Sequence, residues 1–330
     1  MENKKKITIS QSAASVITAF AGVIILMIVF SCMNPNFIKP DSIMTLLRSI
    51  VPYLLVGIGQ AYVCITGNID LSIGSVLGMS AMISATMMCN GFAPVVAILV
   101  AFVCCMLVGF INGVLVGKFK LPPFIATLGT MTIARGIAQL ANNNYNTDNI
   151  GTEGAAKAFK DLLYYGKTAG VFNGVWIALI VWAIFFYVLS FTRSGRHIYA
   201  IGSNVDAARL SGVNVFTATT KAYMVSSFCA FLTGLVTLAQ SGMGDMSAGM
   251  SYEMYAVAAA VIGGVSTLGG SGLLVGVIAG AAVWAILQSG LTFAKVPVAY
   301  RNIVIGILVV ACVLFDVIRR NGSRRPKSKS

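Results

Sequence analysis

The sequence predicts an all-α, polytopic integral membrane protein of about ten transmembrane helices, with both termini on the cytoplasmic side. Three observations predict this. Of 330 residues, 57% are hydrophobic and only 10% charged, where soluble domains carry about 25% charged residues; in water such a chain would expose large apolar patches. The apolar residues fall in long unbroken runs, such as 174–191 and 303–315, and not in the ten-residue alternating segments of a membrane barrel. The 23 basic residues are also unevenly placed: fourteen fall in segments assigned to the inside and five, Lys39, Lys157, Lys160, Lys167 and Lys295, outside. That bias is what the positive-inside rule expects.

At ~20 apolar residues per crossing, the spans fall near 13–33, 43–65, 72–89, 94–116, 125–141, 173–191, 221–241, 253–267, 273–290 and 301–318, all in a single transmembrane domain over 1–330. The first run exceeds the 7–15 residues of a signal-peptide core and no small-x-small cleavage pattern follows it, so it is expected to stay as the first helix. Lys118, Lys120, Pro122 and Pro123 make a short inside loop whose prolines end one helix and begin the next. The longest outside segment, 142–172, opens with an Asn-rich stretch and carries an amphipathic piece, 155–165, expected as a short surface helix. The largest inside loop is 192–220. Within it Asn204 can cap a two-turn helix, Asp206 sits in its first turn, Arg209 near its end, and Gly212 stops it. Such a helix is either a solvated loop element or a docking element for a cytoplasmic partner. The basic tail 319–329 reads as an anchor that meets anionic lipid.

Two glycine-rich polar stretches, 66–75 and 262–272, interrupt the apolar runs. They are either tight inside turns or matching breaks in two halves of a weak duplication, the latter a pointer to a transport pathway. Ionisable residues in the hydrophobic zone are costly and mark function; Asp70 and Arg135 are the clearest. Arg135 is read either as functional or as the partner of a backbone carbonyl or of a carboxylate such as Asp70. Gln60, Asn68, Ser72, Thr127, Thr267 and Gln288 complete the candidate lining of a polar path.

Enzyme chemistry finds no support. The single histidine, His197, lies on the inside loop, so neither a His-based metal site nor a catalytic triad can be assembled. No G-x-x-x-x-G-K-[ST] phosphate loop is present; the nearest stretch, from Gly113 to Lys118, has the wrong spacing and no hydroxyl after the lysine. Any ATP-driven motor must therefore be another polypeptide. The seven cysteines lie in or at the ends of apolar runs, form no C-x-x-C pair and read as small buried thiols.

Four motifs carry a resemblance. The run from Gly67 to Ser75, GNIDLSIGS, resembles the G-x-I-D-L-S-V-G-S signature of the ribose-type permeases of bacterial ABC importers. LPPFIATLG, from Leu121 to Gly129, resembles that family's next motif; AIGSN followed by AARLSGV, ending at Val213, resembles its A-I-G-x-N-x-x-A-A-x-L-S-G-I loop; and the stretch from Ile262 to Gly272 matches its late glycine-rich motif. They occur in family order across roughly residues 50–315. The resemblance implies a permease of the bacterial cytoplasmic (inner) membrane, with no cofactor of its own, paired with a like or unlike second permease. It implies separate ATPase subunits that hold ATP and Mg, an extracytoplasmic sugar-binding protein, and alternating access. It makes Asn204, Asp206, Ala207, Ala208, Arg209, Leu210, Ser211 and Gly212 the coupling helix toward the ATPase. The cargo implied is a monosaccharide, a ribose-like pentose or a related sugar. The rival reading is an ion-coupled secondary carrier, and a channel or a membrane scaffold is the other.

Overall fold

The computed structural model describes residues 11–297 and, beyond them, scattered positions as far as Leu314. Lysines 4–6, most of the predicted span 301–318, and the basic tail lie outside the described residues. The described chain is almost wholly helical. In order come α1 (Gln11–Met33), α2 (Pro40–Ile65), α3 (Ile73–Cys89), α4 (Pro94–Gly117), α5 (Pro123–Leu140), α6 (Gly154–Lys160), α7 (Asn173–Phe191), α8 (Arg193–Ser203), α9 (Val205–Leu210), α10 (Val215–Ser241), α11 (Tyr252–Ile262) and α12 (Leu274–Phe293). A two-residue hairpin, β1 (Lys167–Thr168) against β2 (Val171–Phe172), precedes α7. Prolines open α2, α4 and α5, where the missing N–H costs nothing.

Six of these helices are long and apolar enough to cross a membrane: α1, α2, α4, α7, α10 and α12. The chain is an integral membrane protein. Two helices are short for a crossing: α3, which matches the expected 72–89 to within a residue, and α11, which falls short of 253–267. α3 has 17 residues and α11 only 11, about 26 and 16 Å at 1.5 Å per residue, against a hydrocarbon core of about 30 Å. The span predicted at 253–267 stops at Ile262 because Gly263 and Gly264 turn the chain, Gly264 with φ 86°. The break falls at the start of the glycine-rich stretch 262–272.

α10 is the central post, packed on α2, α3 and α4; α12 packs on α1, α2 and α11, and α5 leans on α3 and α4. The buried face of α10 is built from small residues, including Ala218, Ala222, Ser226, Ser227, Ala230 and Gly234, which let helix backbones approach closely where lipid removes the hydrophobic driving force. Two apolar clusters fill the interior, one around Leu77, Met79, Met82 and Phe231, the other around Leu55, Ile58, Tyr62 and Tyr223.

The irregular segment 242–251 packs partly into the bundle. Ala248 and Met246 turn their carbonyls toward Arg135, and a Cβ on Gly249 would collide with the carbonyl of Gly74. Gly242, Gly244, Ala248 and Gly249 of this non-helical backbone are buried, while Ser247 and Met250 are exposed.

The cysteine expectation holds in part. Cys64, Cys105 and Cys229 are buried, whereas Cys32 and Cys89 are exposed because they sit at helix ends; all six described cysteines are free thiols.

Candidate docking and translocation site

At one end of the bundle the two glycine-rich interruptions meet. Gly270 N donates to Ile65 O at 2.9 Å, and Gly269 lies directly against Gly67. α8 crosses this junction. A Cβ on Gly202 would collide with the Ile65 carbonyl, so only glycine lets α8 approach so closely. The Tyr199 hydroxyl donates to Gly272 O at 2.7 Å. Burial pushes that phenol up to about 12, which keeps it a donor at any physiological pH. Asn68 Nδ2 caps the turn by donating to Thr66 Oγ1 at 2.7 Å, and Thr267 is half-buried.

On this platform stands α9. Its helix forms for local reasons: Asn204 Oδ1 accepts from Ala207 N at 2.9 Å, an N-cap worth about 1 kcal/mol, and Arg209 pairs with Asp206 at 3.5 Å. Ser211 Oγ donates to Ala207 O, and the chain turns off through Gly212 at φ 82°. Ala208 is buried against Ile201 and Ala218, so α9 is seated on α8 and α10. Leu210 is 90% exposed. A cleft of about 170 Å³ runs beside the helix, lined by Thr66, Asn68, Lys120, Val205, Arg209 and Thr219 among others. α9 lies where the sequence predicts it, whereas α8 forms within the stretch 192–220 expected as loop. Its signal was present: Thr192 caps it by accepting from Gly195 N, and Ile198 and Ile201 form its buried stripe.

Deeper in the bundle the candidate path residues are enclosed. Gln60, Asp70, Ser72 and Thr127 all have 0% exposure, so none of them faces an opening within the single chain. Asp70 instead organises a chain of hydrogen bonds. Its Oδ1 accepts from Ser72 N at 2.9 Å and Ser72 Oγ at 2.6 Å, and its Oδ2 accepts from Ser226 Oγ of α10 at 2.6 Å. Ser72 Oγ accepts in turn from Asn112 Nδ2 of α4 at 2.9 Å, and Asn112 Oδ1 accepts from Thr130 Oγ1 of α5 at 2.7 Å. Thr130 Oγ1 also lies 3.2 Å from Thr127 O, while the Thr127 hydroxyl donates to Pro123 O at 2.8 Å. One turn from Ser226, the Tyr223 hydroxyl donates to Ile69 O at 3.1 Å. Asn112, Thr130 and Ser226 escaped the sequence reading. Asn112 was findable as the lone amide in an apolar run; the two hydroxyls carried no signal.

Arg135 does not pair with Asp70. Its Nη1 donates to Ala248 O at 2.7 Å and Met246 O at 3.2 Å, and Glu253 is the carboxylate that acts on it electrostatically. Gln288 is half-buried on α12, and its backbone carbonyl accepts from Thr292 Oγ1 at 2.7 Å.

At the opposite end, segment 142–172 packs as predicted around a short helix, α6, which runs on as a π turn over Asp161–Tyr165. Thr147 exchanges backbone and hydroxyl bonds with Gly244. The Lys160 ammonium donates to Asn149 Oδ1 at 3.0 Å and Gly151 O at 2.7 Å. Arg48 lies between the rings of Tyr164 and Phe172, 4.2 Å from each centroid.

Comparison with known proteins decides what this architecture belongs to. The family described as the branched-chain amino acid transport system / permease component matches residues 42–313. The chain belongs to this permease family. It is 35% identical over 297 residues to the ribose import permease protein of Bacillus subtilis, covering 90% of this chain and 91% of that one. A ribose import permease protein of Haemophilus influenzae is also 35% identical, over 90% of this chain and 92% of its own. The autoinducer 2 import system permease protein of Salmonella typhi is 32% identical, over 91% and 84%. No solved structure matches.

Proposed function

We propose that this chain is the permease subunit of an ATP-driven ABC importer in the bacterial cytoplasmic membrane, forming with a second permease the path for a monosaccharide. The cargo is a ribose-like pentose or a related sugar, the class that the ribose relatives name. ATP and Mg belong to separate ATPase subunits, and an extracytoplasmic binding protein delivers the sugar. In this reading the chain crosses the membrane ten times with both termini inside. Loops 66–72, 118–122 and 192–220 face the cytoplasm, and 142–172 faces outward.

The observation that carries the reading is α9. A capped, salt-bridged two-turn helix presents Leu210 to water at 90% exposure, while its own buried face is fixed to α8 and α10. An apolar anchor on a rigid polar rim is the form of a protein-docking knob. Residues 204–212 then serve as the coupling helix. When ATP closes the motor, the docked helices are displaced and the path opens to the other side. An ion-coupled carrier would need a carboxylate open to the path, and Asp70 is fully enclosed and accepts three hydrogen bonds.

The test is affinity purification of the tagged permease from mild detergent, with ATPase assay of the eluate. A P-loop ATPase is expected to co-purify, and Leu210→Asp to reduce its recovery at least tenfold while the permease still inserts. Equal recovery with the variant would remove the docking role, and a clean eluate from wild type would remove the importer reading.

A further inference from the structure

α5 meets the bundle through a narrow face of small residues. Its buried residues are Ala126, Thr127, Thr130, Ala134 and Ala138, a smooth face without a large side chain to interlock. The opposite face is uncovered: Phe124, Ile125, Leu128, Ile133 and Ile137 are all exposed. Interdigitated cores resist sliding because each knob sits in a hole; α5 has no such knobs. Besides the packing of Ala134 and Ala138 in the apolar core, two polar ties hold it to the body, through Thr130 and Arg135. The Thr130 tie is the far end of the chain that runs through Asn112 and Ser72 to Asp70, and Ser226 of α10 closes the other end.

Every donor in that chain points toward Asp70. Thr130 donates to Asn112, Asn112 to Ser72, Ser72 to Asp70, and Ser226 to Asp70 from the other side. A chain of one polarity strengthens each of its bonds, and a bond to a carboxylate is about twice as strong as a neutral one. All five side chains are buried, with Thr130 the most exposed at 6%, so no water competes. α10 in turn begins at Val215, next to the seat of α9.

We infer that Asn112 is a positioning residue: it latches α5 to α10 through Ser72 and Asp70, so that displacement of α10 at its docking end is passed to α5. This deepens the reading given under Proposed function and rests on it for what drives α10, though the latch itself is a property of the permease alone. Asn112 is the only member that both donates to one neighbouring element and accepts from another, so its loss splits the chain in two.

The test has two arms. In the purified permease, hydrogen exchange is followed by mass spectrometry for Asn112→Ala, Thr130→Val and the pair. Thr130→Val keeps shape and reads the latch even if Asn112→Ala folds poorly. Each variant is expected to speed exchange in the first half of α5 about tenfold, and the pair to add little beyond either single change, because both cut one chain. In proteoliposomes holding the permease with its ATPase and binding protein, the same variants are expected to lower sugar moved per ATP hydrolysed by about tenfold. A change that merely loosened packing would leave that ratio near wild type. Unchanged α5 exchange in Thr130→Val, additive effects in the pair, or an unchanged sugar-to-ATP ratio would each overturn the inference. A wild-type complex that moves no sugar with ATP would instead sink the importer reading, and the exchange arm would still decide the latch.

Discussion

Single residues on this scaffold act where charge meets burial. Asp70 survives in the interior because three donors surround it; an unpaired buried carboxylate would cost several kcal/mol. Arg48 uses a different solution, with its guanidinium held between the faces of Tyr164 and Phe172. Such contacts contribute about 1–2 kcal/mol when partly desolvated. Because the two rings come from the π turn and from β2, Arg48 is the rivet that fastens the 142–172 segment to α2. Arg48→Ala is therefore expected to lower the stability of that segment by about 1–2 kcal/mol, read as faster hydrogen exchange over 154–172 with α10 unaffected. Exchange that stays at the wild-type rate would show that the hairpin and α6 hold without the rivet.

The same residues mark what could be read in advance. Asp70 and Arg135 stood out as ionisable groups in apolar runs, and that much is local. Their partners are not: Ser226 lies 156 positions from Asp70 and Ala248 lies 113 from Arg135, and no spacing in the sequence records such pairings. The lining role expected for Gln60, Asp70, Ser72 and Thr127 met full enclosure for the same reason. Polarity in an apolar run says that a group needs partners, but not whether those partners are protein or solute.

Among elements, those built by local rules were legible. α9 follows from a cap, a first-turn acid, a late base and a stopping glycine, and each of those features is present in the structure. α6 followed from its amphipathic pattern. The buried stripe of α8 is only two isoleucines wide and gives a weak pattern, and α11 ends at Ile262, where the glycine-rich stretch begins, short of the expected 253–267. The interruptions at 66–75 and 262–272 were visible as glycine-rich stretches, yet their meeting under α8 is a tertiary fact. The end-to-end division of loops leads to a prediction at this scale. Single cysteines placed in 142–172, in a background without native cysteines, are expected to react with a membrane-impermeant thiol reagent added to intact cells. Cysteines in 204–212 are expected to react only after permeabilisation. The reverse pattern would invert the orientation.

For the whole molecule, the arrangement places α8 and α9 at one end and segment 142–172 at the other, with α10 running between them; in the proposed function the first is the docking end and the second the external one. At the first end, α8 and α9 sit on the joined glycine-rich turns; at the other, Arg48 and Lys160 secure the folded segment 142–172. Between them α5 presents an uncovered apolar face to lipid or to a second permease, and a buried polar chain connects it to α10. The family and the ribose import permease relatives make the chain a permease subunit, and the proposal assigns the energy supply to a separate polypeptide.

The most direct test of that account is sugar uptake by proteoliposomes containing the permease with its ATPase and binding protein, with ATP either enclosed or absent. Uptake of radiolabelled ribose or a related pentose that requires enclosed ATP, and that survives collapse of all ion gradients, is the predicted result. Uptake that proceeds without ATP and stops when an ion gradient is collapsed would contradict it.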